Sequence, residues 1–132
     1  MYHVLVAVDE TESRALAQTT AVIDLPESAT AVQVTLLHSF TDNPSGASAM
    51  QVAGVRRAQE ALEDVGIETD VVETSGSPAD TILDIAEERD VDCICVGGRK
   101  RSPAGKALFG SVAQSVILTA KRPVLVAGEG QQ

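Results

Sequence analysis

Short apolar runs and longer amphipathic segments alternate along the chain of 132 residues. The apolar runs are typical of buried strands, and they extend over Val4 to Val8, Ala31 to His38, Val91 to Val96 and Pro123 to Ala127. A further predicted strand, Ile67 to Glu73, has alternating character. Between the predicted strands, apolar residues recur at steps of three and four, as on one face of a helix. The predicted helices extend from Ser13 to Asp24, from about Ala47 to Val65, from Pro78 to about Arg89 and from Ser111 to about Lys121.

Local signals mark the ends of these predicted elements. Thr41 to Gly46 has the composition of a loop, and Gly66 follows the second helix in the position of a C-cap. Ser77, which is followed by proline, is a candidate N-cap. Ser111, with Gln114 three residues later, forms a candidate capping box. The predicted order of elements is therefore β-α-β-α-β-α-β-α-β.

Strict alternation of apolar strands with helices predicts an α/β fold, with a parallel sheet covered by helices on both faces. At this length we expect one domain over residues 1–132. Such sheets bind ligands beyond the carboxyl ends of their strands, at the point where the strand order reverses. If the first strand lies between the second and the fourth, that point falls beside Asp9 and Gly97.

A basic, glycine-rich loop follows the fourth predicted strand, from Gly97 to Lys106, and ends at Gly110 and Ser111. The formal net charge of the chain is −9, so a basic loop is unexpected. Its cations are Arg99, Lys100, Arg101 and Lys106. Glycines allow a backbone to approach a ligand closely, and the start of a helix attracts anions. The loop and the helix start together predict a phosphate site.

Acidic residues are concentrated in the first part of the chain, since 18 of the 19 lie at or before Asp92. General nucleic-acid-binding proteins are basic overall, so the composition argues against that class. No apolar run approaches the ~18 residues of a membrane span. The excess of acids over lysines suits a protein adapted to high salt. The first residues lack the basic region of a signal peptide, which leads us to expect a cytoplasmic protein.

Other candidate chemistry is sparse. Cys93 and Cys95 alternate along the fourth predicted strand, and we expect both to be reduced thiols in the core. His3 and His38 have no partner pattern and are expected to be structural. The glycines and lysines fit neither a P-loop nor a Rossmann motif. The sequence contains no metal-ligand pattern and no nucleophile elbow, so we expect no catalytic residues.

Gly97 and Gly110-Ser111 are separated as in the pattern G-x2-G-x9-G-[ST]. Further matching segments are Val4 to Asp9, Leu36 to His38, Gly76 to Ala79, Val112 with Gln114 to Val116, and Arg122 to Val126. On these residues the chain resembles the universal stress protein family, whose nucleotide-binding pattern this is, over nearly its whole length. Lys100 replaces the second glycine of the pattern, and this loop separates members that bind ATP from members that do not.

The resemblance implies an open, doubly wound five-stranded parallel sheet in the order 3-2-1-4-5, with a site for ATP or another adenine nucleotide. The implied nucleotide-binding residues are Ala7, Asp9, Gly97, Gly98, Lys100, Gly110, Ser111 and Val112.

Each of these residues also has an ordinary structural interpretation. Asp9 would contact adenosine, or it could be a helix N-cap or a solvated acid in a loop. Ala7 would line the base pocket, or it could belong to the core. Gly97 and Gly110 would approach the ligand, or they could serve tight turns. Ser111 could hold a phosphate or cap the last helix.

Lys100 lacks the conformational freedom of glycine but could bring a positive charge to a phosphate. Gly98 could take over the tight turn that the family pattern places at the second glycine.

Two functions from different classes remain open at this point. The first is a stress-response module that binds an adenine nucleotide, and the alternative is a non-nucleotide-binding, dimeric interaction protein of the same fold. Slow ATP hydrolysis is a weaker third, because only Asp9 resembles a metal-binding carboxylate near the loop and no general base is evident. Many family members dimerise through the terminal strand, and the uncharged edge Val124 to Ala127 predicts a homodimer here.

Overall fold

The computed structural model describes residues 1–40, 52–98 and 110–128. Its strands are Tyr2–Ala7 (β1), Val32–Phe40 (β2), Glu68–Ser75 (β3), Cys93–Gly97 (β4) and Val124–Ala127 (β5). Its helices are Glu12–Ile23 (α1), Ser28–Ala31 (α2), Ala53–Asp64 (α3), Pro78–Glu88 (α4) and Ser111–Thr119 (α5). The strands form one parallel sheet in the order β3-β2-β1-β4-β5. The predicted fold class and strand order are confirmed.

Helices cover both faces of this sheet because alternate side chains of each central strand point in opposite directions. In β1, Val4 and Val6 face a hydrophobic cluster with α1 and α3, whereas Leu5 faces a second cluster with α4 and α5. All three side chains are fully buried. The two clusters fix the helices against the sheet. The carboxyl ends of the strands remain together at one end of the sheet.

The ends of several elements differ from the prediction. Helix α2 is absent from the prediction, and it follows a left-handed turn at Glu27, whose φ is 54°. The prediction that Ser111 caps α5 is wrong, because Gly110 occupies the N-cap position and Ser111 is the first helical residue. Ser77 is the N-cap of α4, but its side chain makes no capping hydrogen bond. Gly66 follows α3 with a φ of 88°, as expected of a C-cap glycine.

Two parts of the prediction lie outside the described residues. These are the loop Thr41 to Gly46 and the first residues of the second predicted helix, from Ala47 to Gln51. The part of that helix that is described begins at Ala53, with Val52 in the N-cap position.

Cys93 and Cys95 are free thiols in the core, as predicted. Both belong to the cluster beneath α1 and α3. Burial raises the pKa of both thiols, and that of Cys95 reaches about 12. None of the helices within the described ranges is long and apolar enough to cross a membrane.

Candidate functional site

A cavity lies at the carboxyl ends of β1 and β4, where these two strands separate. Their pairing ends at Val6 and Cys95, whereas β1 continues beside β2 to Ala7 and Leu37. Strand β4 likewise continues beside β5 as far as Gly97. The cavity has a volume of about 290 Å³, close to the lower limit for small-molecule sites. It occupies the switch point of the sheet, which is where doubly wound folds bind ligands.

Among the described residues, five parts of the chain line this cavity. They are Ala7 to Glu10 with Arg14, Leu37 to Phe40, Pro78 with Ile82, Val96 with Gly97, and Gly110 to Ala113. Ala7, Leu37, Ile82 and Val96 continue the hydrophobic cluster beneath α4 and α5. The cavity therefore has an apolar wall beside its polar groups, and it can hold a molecule with a flat apolar part and a charged part.

The N-terminus of α5 faces the cavity through Ser111, Val112 and Ala113. The first hydrogen bond within α5 joins the amide of Gln114 to the carbonyl of Gly110 over 3.0 Å. The amides of the three residues between them therefore precede the helical ladder. These N–H groups and the positive end of the helix dipole favour an anion. This side of the cavity can accept a phosphate or a carboxylate.

Asp9 lies at the start of α1, with its side chain about half exposed at 53%. Its Oδ1 accepts a hydrogen bond from the amide of Thr11 over 2.8 Å, and its Oδ2 accepts one from Nε of Arg14 over 2.9 Å. Arg14 also donates to Oγ1 of Thr11 over 2.6 Å. Thr11 is the N-cap of α1, so the alternative that Asp9 caps this helix is wrong. Asp9 precedes the helix, where it binds the amide of the N-cap residue and also lines the cavity.

His38 is a cavity residue that the sequence analysis assigned a structural role. Its ring is buried, and Nδ1 lies 2.8 Å from the carbonyl oxygen of Val8. Because a carbonyl only accepts, Nδ1 carries the proton and donates it. The ring also packs edge-on against Phe40, with 4.5 Å between the ring centroids. The hydrogen bond gives His38 a structural role, and the ring is part of the cavity wall as well.

A Cβ at Gly97 would lie 3.2 Å from Cδ of Arg14, a tight contact that the arginine side chain could relieve by shifting a few tenths of an ångström. Gly98 does not line the cavity; its amide donates to the carbonyl of Ala127 over 2.8 Å. Neither Gly97 nor Gly98 has a positive φ, and Gly110 has a φ of −70°. Glycine is therefore not required for the backbone conformation at Gly97 or Gly110, and the residues that would complete a turn at Gly98 lie outside the described residues.

The predicted nucleotide-binding residues other than Gly98 divide into two groups. The first group lines the cavity described above and consists of Ala7, Asp9, Gly97, Gly110, Ser111 and Val112. Lys100 and the other cations of the basic loop lie outside the described residues. Within the described ranges, no group of three His, Cys, Asp or Glu side chains is arranged to hold a metal ion.

His3 lies far from this cavity, at the amino end of β1. Its Nε2 is 2.7 Å from Oγ1 of Thr35, and Arg89 donates to the same hydroxyl over 3.3 Å. Arg89 also pairs with Asp70 over 2.7 Å. Burial and the neighbouring Arg89 lower the pKa of His3, although Asp92 and Asp70 oppose that shift. His3 therefore belongs to a polar network on the opposite end of the sheet.

Comparison with known proteins gives consistent results. Universal stress protein MJ0577 of Methanocaldococcus jannaschii is 38% identical over 65 residues, which is 49% of this chain and 40% of that protein. The solved structure of hypothetical protein MJ0577 superposes with a TM-score of 0.77 at 25% identity and covers 99% of this chain and 98% of that chain. A universal stress protein from Archaeoglobus fulgidus in complex with dAMP has a TM-score of 0.72 at 26% identity, with 96% and 98% of the two chains covered.

The sequence alignment with MJ0577 spans less than half of that curated relative, whereas the structural superpositions span nearly the whole of this chain. The model of the Universal stress protein family matches residues 1–128. The chain therefore belongs to the universal stress protein family.

Proposed function

We propose that this protein binds an adenine nucleotide in the cavity at the carboxyl ends of β1 and β4. The observation that carries the proposal is the meeting of three features in one cavity, namely an apolar wall, the carboxylate of Asp9 and the amides at the start of α5. The relative from Archaeoglobus fulgidus that is solved in complex with dAMP supports this ligand class.

The chemistry of the cavity suggests how the nucleotide would lie. The phosphates would approach the amides of Ser111, Val112 and Ala113, where the helix dipole favours an anion. The base would lie against the apolar wall that includes Ala7 and Val96. The carboxylate of Asp9 accepts hydrogen bonds only, so it suits the hydroxyl groups of a ribose.

We propose a binding role and not a catalytic one. The carboxylate of Asp9 already accepts hydrogen bonds from the amide of Thr11 and from Arg14. Both oxygens of this carboxylate are therefore already engaged in holding the residues at the start of α1. Slow hydrolysis of ATP would therefore need a base from elsewhere.

The direct test is to denature the protein immediately after purification and to measure released nucleotide by chromatography and mass spectrometry. Calorimetry with ATP, ADP and AMP, and with GTP as a control for the base, then gives the dissociation constants. In Gly110→Val a branched side chain enters the cavity beside the α5 amides, and we expect binding to be abolished. Unchanged ATP affinity in this variant would exclude the site, and absence of binding by the wild type at any salt concentration would favour the alternative below.

The second candidate function is that of a dimeric interaction protein, and the contrast between the two sheet edges favours it. Edge strand β3 carries the charged residues Glu68, Asp70 and Glu73, whereas β5, at the other edge, carries no charge. Charges on an edge strand discourage pairing with another chain. We therefore propose that two copies of this protein pair through Val124–Ala127, with or without a bound nucleotide.

We further propose that the protein works in a cytoplasm of high salt content. The support is the net charge of −9, because dense surface carboxylates keep a protein soluble at salt concentrations that screen ordinary surface charges. Melting temperatures measured from 0.1 to 3 M KCl test this proposal, which requires stability to increase over that range.

A further inference from the structure

We propose that Gln18 is a positioning residue for the cavity, which it shapes through the backbone of β1 and β4 without touching the ligand. The part of this proposal that concerns affinity rests on the proposed nucleotide site. The part that concerns the strand ends does not, and it is tested separately below.

Gln18 is a polar side chain on α1 that is almost completely buried, with 1% of its surface exposed. Its Nε2 donates to the carbonyl of Ala7 over 2.7 Å and to the carbonyl of Cys95 over 3.2 Å. A carboxamide has two N–H donors, so both are used on the backbone of the sheet. Gln18 does not line the cavity, whereas Ala7 does.

These two carbonyls belong to the two strands that separate at the cavity. Pairing of β1 with β4 ends at Val6 and Cys95. Ala7, one residue further, has a partner only in β2, and Gly97 has a partner only in β5. The side chain of Gln18 therefore bonds to both strands at the point where their own pairing stops, and it satisfies buried carbonyl groups there.

Gln18 also faces Gly97 on the β4 side. A Cβ at Gly97 would lie 3.4 Å from Oε1 of Gln18 and 3.2 Å from Cδ of Arg14. Helix α1 thus lies directly against the backbone of this glycine. Ala7 and Gly97 are both cavity residues, so the carboxamide of Gln18 fixes the two sides of the cavity floor relative to each other.

Gln18→Met tests the proposal, because methionine keeps the length of the side chain and removes both donors. Thr19→Val is the matched control, since Oγ1 of Thr19 donates to the carbonyl of Ala15 over 2.8 Å in an equally buried position of the same helix. We expect Gln18→Met to weaken ATP binding about tenfold by calorimetry. The dissociation constant of Thr19→Val for ATP should stay within about twofold of the wild-type value, although both variants lose a similar amount of melting temperature.

Hydrogen exchange followed by NMR tests the effect on the strand ends in the protein without nucleotide. The amides of Val8 and Gly98 donate to Leu37 and Ala127 just beyond the point of separation. In Gln18→Met both amides should exchange about tenfold faster than in the wild type. The amide of Ile67, which donates to Leu62 at the other end of the sheet, should remain unchanged.

If the amides of Val8 and Gly98 exchange in Gln18→Met at the same rate as in the wild type, the proposal is overturned. So would equal losses of ATP affinity in Gln18→Met and Thr19→Val. If the wild type binds no nucleotide, the proposed function fails and the exchange rates still decide the role of Gln18. If circular dichroism finds Gln18→Met unfolded, Gln18→Asn replaces it, because its carboxamide is too short for both carbonyls and the same faster exchange is required.

Discussion

Arg14 and Asp9 form an ion pair at the cavity, with Nε of the guanidinium 2.9 Å from Oδ2 of the carboxylate. The side chain of Arg14 is 21% exposed and that of Asp9 is 53% exposed, so the pair is partly shielded from water. The cation compensates the carboxylate on the wall that the ribose of a nucleotide would approach. The charge of this wall therefore depends on Arg14.

We expect Arg14→Met to weaken ATP binding about tenfold, or ~1.4 kcal/mol, because Asp9 would then bring an uncompensated negative charge to a cavity that holds an anionic ligand. Arg57→Met is the control, since Arg57 pairs with Glu12 over 2.9 Å on the surface and does not line the cavity. Calorimetry at low and high salt measures both variants. Equal affinities in the two variants would exclude the role of Arg14.

The proposed dimer can be tested on the backbone of β5. The carbonyls of Pro123 and Ala127 accept hydrogen bonds from Ile94 in β4 and from Gly98 just after it, over 3.0 and 2.8 Å. Because successive residues of a strand point their amides in opposite directions, the amide of Val126 faces the open edge. Proline is tolerated at such edge positions, so Val126→Pro should remain folded and become monomeric by light scattering.

Leu125→Pro is the comparison variant for Val126→Pro. The amide of Leu125 points toward β4, so its loss should destabilise the sheet itself. Charged substitutions at Val124 or Val126 are less suitable, since both side chains pack against the cluster beneath α4 and α5. A wild-type protein that is monomeric at micromolar concentration and molar salt contradicts the dimer.

Stability should fall in mild acid because of His3. Burial and Arg89 lower the pKa of His3 below its ordinary value of 6.5, so the unfolded chain binds the proton more readily than the folded one. The contribution of neutral His3 is complete above pH 6.5 and is lost as the pH falls below it. Urea unfolding between pH 8 and 5 measures this loss.

His3→Gln keeps a group able to bond to Thr35 and cannot titrate. Its free energy of unfolding should therefore vary less with pH between 6.5 and 5 than that of the wild type. Identical pH profiles of the two proteins would show that His3 contributes nothing to the acid sensitivity.

Stability should also fall in alkali because of Cys95. Burial raises the pKa of this thiol from 9.0 to about 12, so the unfolded chain loses the proton first. From pH 9 upward the free energy of unfolding should decrease by as much as about 1.4 kcal/mol per pH unit from this group. Cys95→Val should remove this contribution to the pH dependence of the free energy of unfolding. A substitution at an exposed residue that does not titrate should leave the pH dependence unchanged.

The fold could be predicted from the sequence because four strands are short apolar runs, β3 alternates in character, and the longer helices have their own apolar faces. The parallel order then follows from alternation together with the family motif. Helix α2 could not be predicted, because its four residues are too few for a helical period to be visible and depend on the turn at Glu27. The N-cap of α5 was assigned one residue late, since serine is a better cap than glycine by side-chain chemistry alone.

The candidate site was predictable where it depends on chain order and not where it depends on packing. Asp9, Gly97 and Ser111 follow from the switch-point rule and the family pattern, and all three line the cavity. Arg14 and Gln18 reach the site only because α1 lies directly over Gly97, a contact that leaves no motif. His38 could have been found from its position near the carboxyl end of β2, beside β1.

The walls of the cavity come from segments as distant in the chain as Ala7 and Ala113. A ligand held there has no site in the unfolded chain, so its binding free energy adds to that of folding. At one hundred times its dissociation constant, a nucleotide would add about 2.7 kcal/mol to the stability of the whole domain. Degradation that proceeds through the unfolded state would slow accordingly, and the abundance of this protein would follow the nucleotide supply of the cell.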